Sequence, residues 1–138
     1  MINSELFAFT EVQTEKDIST VLPYLPLTLS LENNILEVSG LLDTGATVNV
    51  LPYQVGIKLG AVWEQQTIPL RLTGNLAQVP ARVLVLQAKI SQFQPVRLAF
   101  AWTRANEVPL LLGQVNFFLE FDVCFFRSQS VFEICPKK

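Results

Sequence analysis

"LLDTGATVNVLP", Leu41 to Pro52, sets a single acid, Asp43, at the end of an apolar run and follows it with Thr44, Gly45 and Ala46. A charge taken into a protein interior costs on the order of several kcal/mol unless it is paired or neutralised. Asp43 therefore either caps a turn at the surface or is held inside for chemistry. It follows the strand-like segment "ILEVSGLL" (Ile35–Leu42), which places it at a strand end. Thr44-Gly45 then predicts a tight turn, with Gly45 free to take a positive φ. Glycine and alanine leave room beside the carboxylate for a second backbone or a ligand.

The flanking sequence predicts strands. Leu27, Leu29 and Leu31 alternate, a turn follows at Glu32-Asn33-Asn34, and alternation resumes through Leu36 and Val38. That is a hairpin with period-two strands. "VNVLPYQVGIKLGA" (48–61) carries Pro52 and two glycines and predicts a short strand, then a loop or one helical turn. "TIPLRLTGNLAQVPARVLVLQAKI" (67–90) reads as two strands around Thr73-Gly74-Asn75. "FQPVRLAFAWT" (93–103) is a strand. "VPLLLGQVNFFLEF" (108–121) starts as an apolar strand, breaks at Gly113, and continues into one or two helical turns. "VCFFRSQSVFEIC" (123–135) is a closing strand pair around residues 127–130. Short strands at about ten-residue spacing indicate an all-β sandwich or closed barrel. No segment sustains a 3.6-residue period, so helix is minor. Residues 1–23 form a weakly patterned N-terminal arm, and 24–138 form the one domain.

Composition bounds the function. The chain has 138 residues, enough for one proper core, and half of them are hydrophobic. Only 16% are charged and the net charge is -2, with the basic residues scattered, so nucleic-acid binding is not expected. No apolar stretch is long enough for a transmembrane helix, and the acidic, polar start lacks the features of a signal peptide. A cytoplasmic location, with no membrane partner, is the expectation. Cys124 and Cys135 are expected to be free, buried thiols and not a metal site. The Phe117, Phe118, Phe121, Phe125, Phe126 and Phe132 cluster is expected to be mostly core, with some of it given over to a dimer interface. Trp63, Trp102 and Tyr53 are expected to pack.

The chain contains no histidine. That removes Ser-His-Asp triads, Cys-His dyads and His-ligated metals. A lone carboxylate is poor equipment for hydrolysis, whereas two that share a proton are effective: one deprotonates water while the other polarises the scissile carbonyl. The aspartic-protease dyad is itself the established example of such a pair. This chain has one Asp-Thr-Gly, and its other aspartates, Asp17 and Asp122, lack the motif. A second carboxylate must then come from a second copy of the chain, across a twofold axis.

"LLDTGATVNVLP" resembles the active-site motif of retropepsin-like aspartic proteases, the single-lobe family whose members work as homodimers; short bacterial and cyanobacterial members read most like it. "PLLLGQVNFF" (Pro109–Phe118) resembles the apolar-apolar-Gly stretch before that fold's short C-terminal helix. The resemblance covers about residues 24–136. It implies a closed retropepsin-like β-barrel with a short C-terminal helix and one lobe per chain. It implies Asp43 as the catalytic aspartate and Thr44, Gly45 and Ala46 as the supporting loop. Thr44 matches the threonine whose hydroxyl braces the two loops across the dimer. Leu72, Thr73, Gly74, Asn75 and Leu76 occupy the place of the flap that closes over a peptide. Leu111, Leu112 and Gly113 match the stretch behind the active-site loop. Retroviral members usually have an acid where this chain has Thr47 and an arginine where it has Gln114; here both are neutral, and a hydrogen bond is expected in place of their ion pair. The reading is an aspartic endopeptidase that needs neither metal nor cofactor and cuts peptides near hydrophobic residues at mildly acidic pH. The alternatives are a non-catalytic dimeric peptide-binding module on the same fold, and a small β-barrel holding an apolar ligand. The first differs in binding a peptide without turning it over, and the second in being a monomer.

Overall fold

The computed structural model describes residues 3–15 and 18–138; Asp17 lies outside them. Among the described residues, twelve strands and two short helices run in the order β1 (Glu5–Ala8), β2 (Thr10–Gln13), β3 (Ser19–Leu22), β4 (Tyr24–Leu31), β5 (Asn34–Leu42), β6 (Asn49–Leu51), α1 (Tyr53–Lys58), β7 (Pro69–Leu70), β8 (Ala81–Lys89), β9 (Val96–Thr103), β10 (Leu111–Leu112), α2 (Phe117–Glu120), β11 (Phe121–Phe126) and β12 (Val131–Pro136).

Six of the strands close on themselves. Their order is β4-β5-β10-β6-β9-β8, and β8 returns to β4 through Thr28↔Lys89, Leu29↔Ala88 and Ser30↔Gln87. Closure removes the open edges that would otherwise invite pairing with other chains. The alternating sequence explains the wall. Leu25, Leu27 and Leu29 are almost fully buried on one face of β4, as are Leu84, Leu86 and Ala88 on β8. They share one core cluster with Trp102, Phe100, Phe117, Phe121 and Phe132; each of these phenylalanines stabilises the fold by about 1.5–3 kcal/mol when wholly removed from water.

The β4–β5 hairpin forms with a tighter turn than the sequence implies. Glu32-Asn33 makes the turn alone, with Glu32 at φ 54°. Asn34 has joined β5 opposite Leu31, and its side-chain amide donates to the Leu59 carbonyl at 3.0 Å. Residues 48–61 supply β6 and α1 as expected, and residues 108–121 supply β10 and α2. Tyr53 stacks on Trp102 at 5.6 Å, and Trp63 packs against both, so all three residues are packing residues.

Outside the barrel, β11 and β12 pair around a 3-10 turn at Arg127–Gln129, with Ser130 at φ 56°. β1 adds to the other side of β12, giving the order β1-β12-β11. Residues at the start and end of the chain thus share one sheet. Phe117, Phe121 and Phe132 are core, while Phe125 and Phe126 remain 39% and 37% exposed. The cysteines depart from expectation. Both are free, but Cys124 is exposed and Cys135 half-buried. Cys124 lies opposite Glu133 and Cys135 opposite Asp122, which puts both thiols on the outward face of the hairpin, away from Phe132 and Ile134. Among the described residues no helix is long and apolar enough to cross a membrane.

Candidate functional site

Asp43 is the first residue past β5, and neighbours distant in sequence fix its position. Its backbone N–H donates to the Leu112 carbonyl at 3.0 Å, because β10 lies parallel to β5 with Leu111 and Leu112 beside Leu41 and Leu42. Its own carbonyl accepts from the Ala46 N–H at 3.1 Å, which closes the turn. Oδ1 accepts from the Gly45 N–H at 2.9 Å, the local bond typical of an aspartate that starts a turn. A side chain at Gly45 would press on that oxygen at 3.3 Å. Among the described residues Oδ2 accepts no hydrogen bond, and Asp43 as a whole is half-buried.

The rest of the loop is held from behind. Gln114 N–H donates to Ala46 O at 2.9 Å and Val115 N–H to Thr47 O at 3.0 Å. The Gln114 side-chain amide donates to Thr44 O at 2.8 Å. The hydrogen bond expected between Thr47 and Gln114 in place of an ion pair is absent among the described residues; the Gln114 amide bonds the Thr44 backbone instead. Gly113 is required here: a Cβ at this position would lie 2.8 Å from Ala46 O and closer still to Val48 O. Both are backbone atoms, so no side-chain rotation relieves the contact.

Two residues the sequence reading passed over carry this support. Asn49 is fully buried at the start of β6. Its Oδ1 accepts from the Gly113 N–H at 2.8 Å, and its Nδ2 donates to Ala99 O at 3.0 Å and to Asn116 Oδ1 at 3.2 Å. Asn116 Oδ1 also accepts from the Ala99 N–H at 3.0 Å, and its Nδ2 donates to Arg97 O at 3.0 Å. This amide pair ties β6, β9 and the segment after β10 together directly beneath the Asp43 loop. The signal was present in the sequence: Asn49 is a polar residue between Val48 and Val50, in the same kind of apolar run that drew attention to Asp43.

The expected flap is brought to Asp43, in a different form. Strand pairing between β7 and β8 ends at Leu70↔Ala81, so residues 71–80 are a wide loop and not the tip of a long ladder. Pro80 has no N–H to extend the pairing. Within the loop, Gly74–Leu76 forms a 3-10 turn with Gly74 at φ 64°. Leu72 is buried against a small cluster of Val50, Ala81 and Ala101, and this pins the loop down. The result is a cleft of about 340 Å³. Asp43, Gly45, Ala46 and Thr47 line one side, Leu72, Thr73, Gly74, Asn75 and Leu76 the other, and Val48, Val50 and Leu111 complete it. Asp43 is the one charged residue among those lining it. Thr44 points elsewhere: it is exposed, and among the described residues its hydroxyl has no partner.

A larger hollow of about 640 Å³ lies between the chain ends, beside the Lys137–Glu120 ion pair (3.0 Å), far from this loop in the topology. Asp122 sits on the outer face of β11, opposite Cys135. Among the described residues no three His, Cys, Asp or Glu side chains gather into a set that would hold a metal ion.

No family model matches the chain, and no curated protein matches it. Among solved structures it is similar to the crystal structure of a retropepsin-like aspartic protease from Rickettsia conorii, with a TM-score of 0.61 and 15% sequence identity over 99% of this chain and 96% of that one. At that identity the likeness speaks to architecture. The closed six-strand barrel with its few short helices agrees with that architecture, and the chain has the retropepsin-like aspartic-protease fold, one lobe per chain.

Proposed function

We propose that the chain is an aspartic endopeptidase that acts as a homodimer, one Asp43 from each copy activating a water molecule for attack on a peptide carbonyl. The observation that carries this reading is the cleft itself: a half-buried aspartate with one oxygen that accepts no hydrogen bond among the described residues, on a loop braced by backbone hydrogen bonds, faces a pinned loop across an otherwise uncharged gap. One carboxylate does not complete the chemistry. The exposed Thr44 beside it supports a loop-to-loop contact with a second copy, which supplies the second acid.

In the reaction one carboxyl holds a proton and donates it toward the carbonyl oxygen, while the other, ionised, takes a proton from water. Water's oxygen bonds to the carbonyl carbon, and the carbon–nitrogen bond then breaks as the amine leaves with a proton. No covalent enzyme intermediate forms. Thr47, Val48, Val50, Leu72, Leu76 and Leu111 provide apolar or neutral walls, which favours hydrophobic side chains next to the cut.

The test is cleavage of a mixed peptide library near pH 5 at high protein concentration, wild type beside Asp43→Asn. Cuts next to hydrophobic residues are expected, and they are expected to vanish in the variant. Cuts that persist in Asp43→Asn would refute the reading. Binding without turnover by a dimeric wild-type protein would leave a peptide-binding module on the same fold.

A further inference from the structure

The β2–β3 hairpin belongs to neither sheet system. Thr10–Gln13 pairs with Ser19–Leu22, and among the described residues neither strand bonds to the barrel or to the β1-β12-β11 sheet. Two-stranded hairpins are marginal in water unless one face packs against something. This one has an apolar component without a place in the core: Val12, Val21 and Leu22 are half-buried, Ile18 is 59% exposed, and none joins either core cluster.

Its two roots fix where it stands. At one root the Phe9 N–H donates to Ser130 O at 2.9 Å, and the Phe9 ring packs against Phe125 and Phe132. At the other root Pro23 O accepts from the Leu42 N–H at 3.1 Å, one residue before Asp43. The register agrees, since Tyr24, the first residue of β4, lies opposite Leu41. Chain that precedes Pro23 therefore leaves the barrel at its Asp43 end.

We propose that the β2–β3 hairpin is a clasp for a second copy of this chain. The inference rests on the homodimeric reading above. If two Asp43 loops meet, the two barrels meet at their Asp43 ends, and whatever is rooted at that end lies against the partner. Under a twofold axis the contact is made twice, each hairpin gripping the other barrel. Ile18, with Val12 and Leu22 on the same face of the hairpin, supplies the apolar part of the grip, and the partner's cover stabilises a hairpin with which, among the described residues, no other strand of its own chain pairs. Phe125, 39% exposed and packed against Phe9 at this root, adds apolar surface beside the hairpin.

Sedimentation equilibrium on the full chain tests this without any need for turnover. Two variants are compared with wild type: Ile18→Asp, a change at an exposed position that leaves the core alone, and replacement of 10–22 by Gly-Gly, which the Thr10↔Leu22 register lets the chain close. Circular dichroism checks that each is folded. Both are expected to raise the dimer dissociation constant by roughly tenfold or more, equivalent to about 1.4 kcal/mol or more per dimer. Cleavage per dimer is expected to recover at protein concentrations above that constant. An unchanged constant in folded Ile18→Asp would overturn the clasp and leave the homodimeric reading standing. Faster cleavage at an unchanged constant would also overturn it, showing that the hairpin covers its own cleft. A wild-type protein that stays monomeric at every concentration would overturn both.

Discussion

Replacing Asn49 with alanine removes the buried amide that holds the floor of the site. Two backbone groups lose their partner: the Gly113 N–H, which sits 2.8 Å from Oδ1, and the Ala99 carbonyl, 3.0 Å from Nδ2. Asn116 Oδ1 loses one bond but keeps the Ala99 N–H at 3.0 Å. Asn49 is fully buried, so solvent does not replace what is lost. An orphaned buried polar group costs about 1–3 kcal/mol, and two of them give roughly 2–6 kcal/mol. That is a large share of the roughly 5–15 kcal/mol that holds a domain together. Urea denaturation at pH 7, followed by tryptophan fluorescence, measures it directly, since Trp63 and Trp102 are both buried. The expected result is a fall in the midpoint at unchanged slope. A loss of less than about 1 kcal/mol would refute the reasoning, because the network would then be bonded to water or free to rearrange.

Gly113→Ala places a methyl group against the Ala46 and Val48 carbonyls; the Asp43 loop must shift, and a cost of about 1–3 kcal/mol is expected together with loss of cleavage, measured by melting and by peptide assay. Gly74→Ala differs in kind, since nothing lies within 4 Å of the added methyl group. Its cost is the left-handed backbone alone, about 1–2 kcal/mol, and a D-alanine placed there by chemical synthesis is expected to restore the melting temperature. Cleavage is expected to peak roughly between pH 4 and 6, because one carboxyl of the pair must hold a proton while the other is ionised. A rate that stays flat from neutral to alkaline pH would contradict the paired-acid reading.

The barrel was legible because period-two alternation is strong where one face is buried. Leu25 to Leu29 and Leu84 to Ala88 carry that pattern, and they form the wall. The Asp43 turn was legible for the opposite reason, as a charge in a place where apolar residues belong. The segment around Gly74 lies across the cleft from Asp43, but as a wide loop and not as the hairpin that the sequence implies. A glycine signals a positive φ without saying whether strands continue up to it, and here Leu72 draws the loop inward. Asn49 stands out in the sequence as a polar residue in an apolar run, but what it and Asn116 do depends on partners that only the fold brings to them, 64 residues away in the case of Gly113. The hairpin at Thr10–Leu22 has too many Thr, Glu and Gln residues for a clear alternation. Residue type alone points the cysteines to the interior, and only the register of β11 on β12 reveals their outward face.

β10 is two residues long, yet it lies between β5 and β6, strands joined by the Asp43 loop itself. During synthesis the ribosome releases that loop long before it releases Leu111 to Asn116. The Thr44–Gln114 bond spans 70 residues, so the emerging chain must wait for most of its length before the loop can be locked. Such distant pairing slows folding. It also makes the cleft a late product: a truncated or half-made chain has the acid but not the geometry around it.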